Sequence, residues 1–293
     1  MVTNGRVKQI ADMMKFGTAV NIAAELHGNF LFKKGEKSRD TRGFSHFHPS
    51  SFGGCLRKTA FQYYGEFDEQ FQLKETLDIR SVRRFDAGHA FHWRMQKDFA
   101  EMGILRGFWK CRACGKVHGK DEKIGILLPE TCECQKKADK RRGLKLFEYE
   151  EIFLKSPPEY NFQGHCDGII EKEIGNADSR YVVDFKTINS GGFERLNKPN
   201  DIYVQQISIY MWLSGVHKSF IFYEDKNDHY VKEFPIEYDE KEIDKIIKKA
   251  AKLKILLDRK KIPKKPDDYR KDKKPCKQYG RVCEFASFCY PKK

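Results

Sequence analysis

The segment YVVDFKTI, residues 181–188, sets an acid and a lysine, Asp184 and Lys186, at the end of an apolar run. Read as a strand, it sends both side chains from the same face, because residues two apart leave a strand on one side. An acid-x-lysine triplet is common by chance, so it has weight only through its surroundings. Here Tyr181, Val182 and Val183 precede it, whereas most other charged triplets of this chain lie in polar helices and loops.

The neighbouring segments predict an α/β chain. Residues 81–102 contain no proline and carry Val82, Phe85, Phe91, Met95 and Phe99 at helical spacing. A polar, Cys-containing stretch follows over 110–145, and then the period changes. LFEYEEIFL (146–154) alternates in part as a strand does, HCDGIIE (165–171) is a second strand, and YVVDFKTI the third, after a turn at IGNADS. Residues 201–215 read as a helix with Asp201 near its start and Gly215 near its end. KSFIFYE (218–224) and HYVKEFPIE (229–237) are two more strands, and 239–261 a Lys-rich amphipathic helix. Upstream, residues 1–43 read as a helical arm and charged loop, and Cys55 sits where a loop enters a helix. Helix, three strands, helix, strand is an α/β order. It divides the chain into an N-terminal helical region (1–79), a core (80–109 and 146–261), an insert (110–145) and a basic tail (262–293).

A second acid, Asp167, falls in the strand before YVVDFKTI, between Cys166 and Gly168. A hairpin would set Asp167 beside Asp184, and two close carboxylates repel unless a cation lies between them. The plainer reading makes Asp167 a turn residue and Asp184–Lys186 an edge salt bridge. On the first long helix, Gly88 and His92 are four apart and share a face, with His89 a competitor for the imidazole role. On the later helix Gln206 and Tyr210 are also four apart.

In order, Gly88-x3-His92, Gly164-His165-Cys166-Asp167-Gly168, Asp184-Phe185-Lys186 and Gln206-x3-Tyr210 resemble the RecB-like branch of the PD-(D/E)XK nucleases, over roughly residues 80–225. The resemblance implies a restriction-endonuclease-like core, a central mixed sheet flanked by helices. It implies that His92, Asp167, Asp184 and the Phe185 carbonyl hold Mg²⁺ or Mn²⁺, that Lys186 orients water or stabilises charge on the phosphate, and that Gln206 and Tyr210 position DNA. The implied activity is DNA phosphodiester hydrolysis, as an exonuclease of recombination, repair or phage DNA processing. A structure-directed endonuclease, a nuclease subunit of a helicase or CRISPR adaptation complex, and a non-catalytic DNA-binding scaffold are the alternatives. No G-x4-G-K-[ST] motif occurs, so a helicase or recombinase would be a separate partner.

The nine cysteines fall in clusters. Cys111-x2-Cys114 with Cys132-x-Cys134 suits a tetrahedral zinc site, with His118 as a substitute ligand. The split of Cys55 upstream from Cys276, Cys283 and Cys289 is similar to that of the iron–sulfur nucleases of the AddB and CRISPR-associated exonuclease type, which implies a 4Fe–4S cluster. Zinc at those thiolates and unliganded thiols are the other readings, and Cys166 reads as a core thiol. The net charge of +14 fits a nucleic-acid partner, because neutralised phosphates release counterions. Phe61, Tyr63 and Tyr64 are candidates for stacking on single strands, or for the core. No apolar run of membrane-spanning length and no signal-like N-terminus appear, which predicts a cytoplasmic protein of a bacterial cell or phage-infected host, without a membrane partner.

Overall fold

Val182 and Val183 are wholly excluded from solvent and Phe185 nearly so, which places the YVVDFKTI strand in the middle of a sheet covered on both faces. The computed structural model describes residues 39–40, 45–71, 74–75, 79–119, 129, 132–136, 147–150, 152–265, 277–278 and 281–289. The helical arm expected over residues 1–43 lies, apart from 39–40, outside the described residues, and Cys276 lies outside them too.

The first elements are strand β1 (Arg39–Asp40), helices α1 (Pro49–Phe52) and α2 (Leu56–Tyr64), strand β2 (Lys74–Glu75) and the long helix α3 (Ile79–Glu101). Strands β3 (Leu105–Arg106), β4 (Phe108–Cys111), β5 (Val117–His118), β6 (Phe147–Glu150), β7 (Ile152–Lys155), β8 (Gln163–Cys166), β9 (Gly168–Glu171) and β10 (Arg180–Ile188) follow. Then come helices α4 (Ser190–Glu194) and α5 (Asp201–Ser214), strands β11 (Lys218–Asp225) and β12 (Val231–Glu237), and helix α6 (Glu240–Asp258). The described residues close with strands β13 (Lys277–Gln278) and β14 (Arg281–Val282) and helix α7 (Ala286–Cys289).

The fold is mixed α/β, with a central mixed sheet flanked by helices. The sheet runs β12-β11-β10-β9-β3. Its β10–β11 pair is parallel and its other pairs are antiparallel. A parallel pair needs a crossover, which α4 and α5 supply. On one face Val183, Phe185 and Phe222 pack against Phe91 and Phe99 of α3. On the other, Val182, Ile221 and Tyr223 pack against Ile207, Tyr210 and Met211 of α5. The far side of α5 gives Ile209 to a third cluster with Phe52 of α1 and Ile243, Ile246 and Leu253 of α6. Hence Gln206 to Met211 are all buried, and α5 has no polar face. Asn200 caps α5 by accepting from the Ile202 N–H at 3.0 Å. Gly215 ends it in the left-handed conformation, φ 68°, where a side chain would be strained.

The sheet corrects three sequence expectations. LFEYEEIFL is not one strand: β6 pairs with β4 and β7 with β8, in different sheets. HCDGIIE is likewise broken at Asp167, with β8 on β7 and β9 on β10. Both breaks come from strands changing sheets, which alternation along the chain does not encode. Phe85, expected on the apolar stripe of α3, is 43% exposed because it lies on the helix before the part that packs on the sheet. The Cys-containing segment packs into the core, since Cys111 and Cys132 share the cluster of Phe91 and Phe185. Among the described residues no helix is long and apolar enough to cross a membrane.

Glu171 at the end of β9 is fully buried and accepts from Arg180 Nε and the Gly175 N–H, each at 2.7 Å, and from Arg106. Burial works to raise its carboxyl, but Arg180, Gly175 and Arg106 outweigh it and hold it below the usual 4.5. A depressed folded-state value gives stability that is present above the unfolded value and is lost as pH falls through the folded one. Glu171→Gln is therefore expected to lower unfolding free energy by about 1–3 kcal/mol at neutral pH. In urea titrations the difference from wild type should shrink as pH falls below 4.5, and a pH-independent difference would contradict this account.

Candidate active site

The β9–β10 ladder ends at the pair Gly168–Val183. One residue earlier the chain turns away to β8, so beyond Val183 no strand of the described residues pairs with this edge of β10. Side chains replace that strand at Phe185. Its N–H donates to Asp167 Oδ2 at 2.7 Å, and its carbonyl lies 3.1 Å from His92 Nε2. A carbonyl only accepts, so this nitrogen carries a proton, and Nδ1 faces Asp167 Oδ1 at 3.4 Å. Glycine at 168 leaves room for this packing: a Cβ there would meet Val183 Cγ2 at 3.1 Å.

Asp184 is 1% exposed on the α5 face of β10. Gln206 donates to its Oδ1 at 3.0 Å. Its Oδ2 is buried without a hydrogen bond; Lys186 Nζ is 2.5 Å away but at an angle that makes an ion pair only. Lys186 itself is held over the Tyr203 ring, 4.7 Å from its centroid. Tyr210 is buried one turn beyond Gln206, and a Cβ on Gly164 would come within 3.4 Å of its hydroxyl.

Burial pushes the Asp184 carboxyl up to about 6; the Lys186 ammonium pulls against this and Asp167 adds to it. For Asp167, burial also works upward, but His92, Lys186 and the Phe185 N–H prevail and hold it below the ordinary carboxylate range. Burial lowers and Asp167 raises the His92 imidazole, and Asp167 wins. Burial lowers the Lys186 ammonium, and the two carboxylates more than reverse it. The raised His92 and Lys186 values report the negative field of Asp167 and Asp184, the condition in which a divalent cation binds.

The donors suit such an ion. Asp184 offers a buried oxygen with no hydrogen bond. His92 Nε2, which carries a proton here, could join such an ion only after releasing it. His92, Asp167 and Asp184 are nonetheless less tightly grouped than the cysteines described below.

Two contributors carry no motif. Gln96, one turn after His92, donates to the Asp167 carbonyl at 2.9 Å and fixes the chain where it changes sheets. Tyr203, one turn before Gln206, supports Lys186. Their only sequence signal is helical spacing from a site residue. Among the described residues nothing would lie within 4 Å of a Cβ on Gly88, so their packing does not require glycine there. His89 is exposed, which leaves His92 as the imidazole at the carboxylates. A groove of about 530 Å³, lined by His89, His92, Trp93, Gln96, Arg112 and His165 among others, opens beside them.

Cys111, Cys114, Cys132 and Cys134 converge, with all four sulfurs within 4.8 Å of one another. Burial works to raise the Cys111 thiol, but the N–H groups of Cys114 and Ala113 and the Cys134 thiol bring it down, while the Cys114 and Cys111 thiols push the Cys134 thiol up. His118 is not in this group; its ring stands on Phe147 at 5.2 Å. Cys55 precedes α2, and Arg57 Nε reaches Cys289 Sγ at 3.4 Å. Among the described residues Cys55, Cys283 and Cys289 do not form a second group of that tightness. Cys166 is buried beside Tyr210 and Met211, as expected of a core thiol.

No protein-family model and no curated protein matches the chain. Among solved structures, it is similar to an alkaline exonuclease (LHK-Exo) from Laribacter hongkongensis, at 19% identity and TM-score 0.32 over 38% of this chain and 57% of that one. The chain thus spans 57% of the exonuclease's length in that comparison. The same exonuclease in complex with dAMP aligns at 12% identity and TM-score 0.42, over 74% of this chain and 89% of that one. The protein SSO0001 aligns at 16% identity and TM-score 0.45, over 92% and 95%.

The four-cysteine site generates a direct expectation. Elemental analysis of purified protein should find a tightly held metal ion that Cys111→Ser with Cys132→Ser removes. Because these cysteines share the core of Trp109 and Phe147, the thermal midpoint should fall by several degrees at least.

Proposed function

We propose that this chain is a divalent-metal-dependent deoxyribonuclease that hydrolyses phosphodiester bonds, working most simply as an exonuclease. The observation that carries this reading is the buried Asp184 oxygen without a hydrogen bond, beside Asp167 and a buried lysine. Asp167, Asp184, His92 and the Phe185 carbonyl would hold Mg²⁺ or Mn²⁺, hard cations that suit oxygen ligands. Such an ion, when bound, polarises a phosphoryl oxygen and favours the attacking form of water.

The chain's own residues supply the rest. Lys186 Nζ, held between Asp184 and the Tyr203 ring, would orient a water or meet charge growing on the phosphate. Gln206 holds Asp184 in its rotamer, and Gln96 with His92 holds Asp167. Tyr210, whose hydroxyl burial keeps protonated, is a neutral donor near the site. The basic surface fits DNA as partner.

We assign the four cysteines 111, 114, 132 and 134 to zinc, which favours four thiolates in a tetrahedron. We assign Cys55, Cys276, Cys283 and Cys289 to a 4Fe–4S cluster. In support, α2 and the chain end lie together: the Phe61 ring is 5.6 Å from that of Phe285 and 5.4 Å from that of Phe288. Visible absorption of anaerobically purified protein separates the cluster from zinc at the same thiolates.

The test is linear and covalently closed circular DNA incubated with Mg²⁺ or Mn²⁺. Loss of linear DNA alone is the expected result. Lys186→Ala and Asp184→Asn should each reduce the rate by about 10²-fold or more. Cutting of the closed circle would make the enzyme an endonuclease, and intact DNA with wild-type protein would remove the catalytic assignment.

A further inference from the structure

Three neighbouring aromatics, Phe61, Tyr63 and Tyr64, have different fates on α2. Phe61 turns inward, 1% exposed, and stacks on Phe285. Tyr63 and Tyr64 instead line an open cavity of about 520 Å³ between α2 and the C-terminal end of α6, together with Phe67 and Phe71. That volume lies in the range of clefts that hold small planar ligands, about 300–1,000 Å³. Phe67 is 65% exposed, a large apolar ring left at the surface. Tyr63 packs its ring 5.9 Å from Tyr64 and 5.4 Å from Phe67. The Tyr64 hydroxyl donates to the Leu257 and Lys261 carbonyls at 3.4 Å each, which fixes one wall.

The chain leaving α6 is the basic run KKIPKK, residues 260–265. It is tied to the helix that carries the aromatics, because Arg57 of α2 donates to the Pro263 carbonyl and Tyr64 to that of Lys261. Two acids also face the cavity. Asp258 already receives Lys254, and Asp68 receives the Gln70 N–H at 3.0 Å. Four lysines in six residues outweigh them, and their carboxylates can accept from exocyclic amino groups of bases.

We propose that this cavity is a stacking subsite for an unpaired base of a single DNA strand, with Lys260, Lys261 and Lys264 following the strand's phosphates. Aromatic faces beside a basic track are the arrangement that holds single strands without reading sequence. The ligand class rests on the deoxyribonuclease reading, but the subsite shares no residue with the carboxylate site.

The test uses the full chain without added Mg²⁺ or Mn²⁺ and a fluorescein-labelled thymidine oligomer, read by anisotropy. Phe67→Ala should weaken binding by on the order of tenfold, and Tyr63→Ala similarly. Phe67 is largely exposed, so its variant should keep the wild-type melting temperature. Lys261→Gln with Lys264→Gln should lower the slope of log affinity against log salt by about 1.4. Unchanged affinity in both aromatic variants overturns the proposal, as would occur if the cavity took an apolar peptide side chain. Cleavage by wild type, measured separately, keeps the two readings apart: variants that cut DNA but bind the oligomer as wild type does sink the subsite alone. Weakened binding in a chain that never cuts DNA supports the subsite and sinks the nuclease.

Discussion

In a strand, the N–H and carbonyl of one residue leave by the same edge, and at Phe185 that edge has lost its partner. Both groups still need hydrogen bonds, because unpaired backbone polarity inside a protein is costly. Asp167 takes the N–H and His92 the carbonyl. The demand of one residue's backbone thus draws together a residue from the break between β8 and β9, a residue of α3 and the middle of β10. Gln96 completes the arrangement by holding the Asp167 carbonyl. Had β8 continued alongside β10, Phe185 would have been satisfied by backbone, and there would be no reason for an acid and an imidazole to meet there.

The electrostatics follow from that convergence. Asp167 is ionised by its partners, while Asp184, with one oxygen lacking a hydrogen bond, is more ready to take up a proton. Lys186 lies close to one acid and feels the field of both. Its position over Tyr203 means that its ammonium is held from below by a ring as well as from the side by a carboxylate. The lysine cannot swing away without giving up both contacts.

How much of this was legible in the sequence depends on the range of the interaction concerned. The shared face of Asp184 and Lys186 follows from strand geometry, which is local, and so does the one-turn spacing of Gln206 and Tyr210. The convergence of Cys111, Cys114, Cys132 and Cys134 follows from spacing within one segment. The division of LFEYEEIFL and HCDGIIE between sheets was not legible, because it depends on which distant strand each half meets. Gln96 and Tyr203 were missed for the same reason: a glutamine and a tyrosine on helices acquire roles only when strand β10 arrives beside them. The choice between His89 and His92 was likewise left to packing, since burial of Phe91 and Phe99 sets which way α3 faces.

Helix α5 carries a consequence for how the chain can be divided. Its middle, Gln206 to Met211, is buried all round, with the sheet on one flank and α1 and α6 on the other. Gln206, which holds Asp184, is on this helix. A shortened protein ending at Glu237, after the last strand of the central sheet, would retain every carboxylate of the site. It would also uncover Ile209 and the residues around it, which α6 now shields. Such a fragment would bare that apolar flank to water, so the helix that follows the sheet is part of what a folded piece of this chain has to keep.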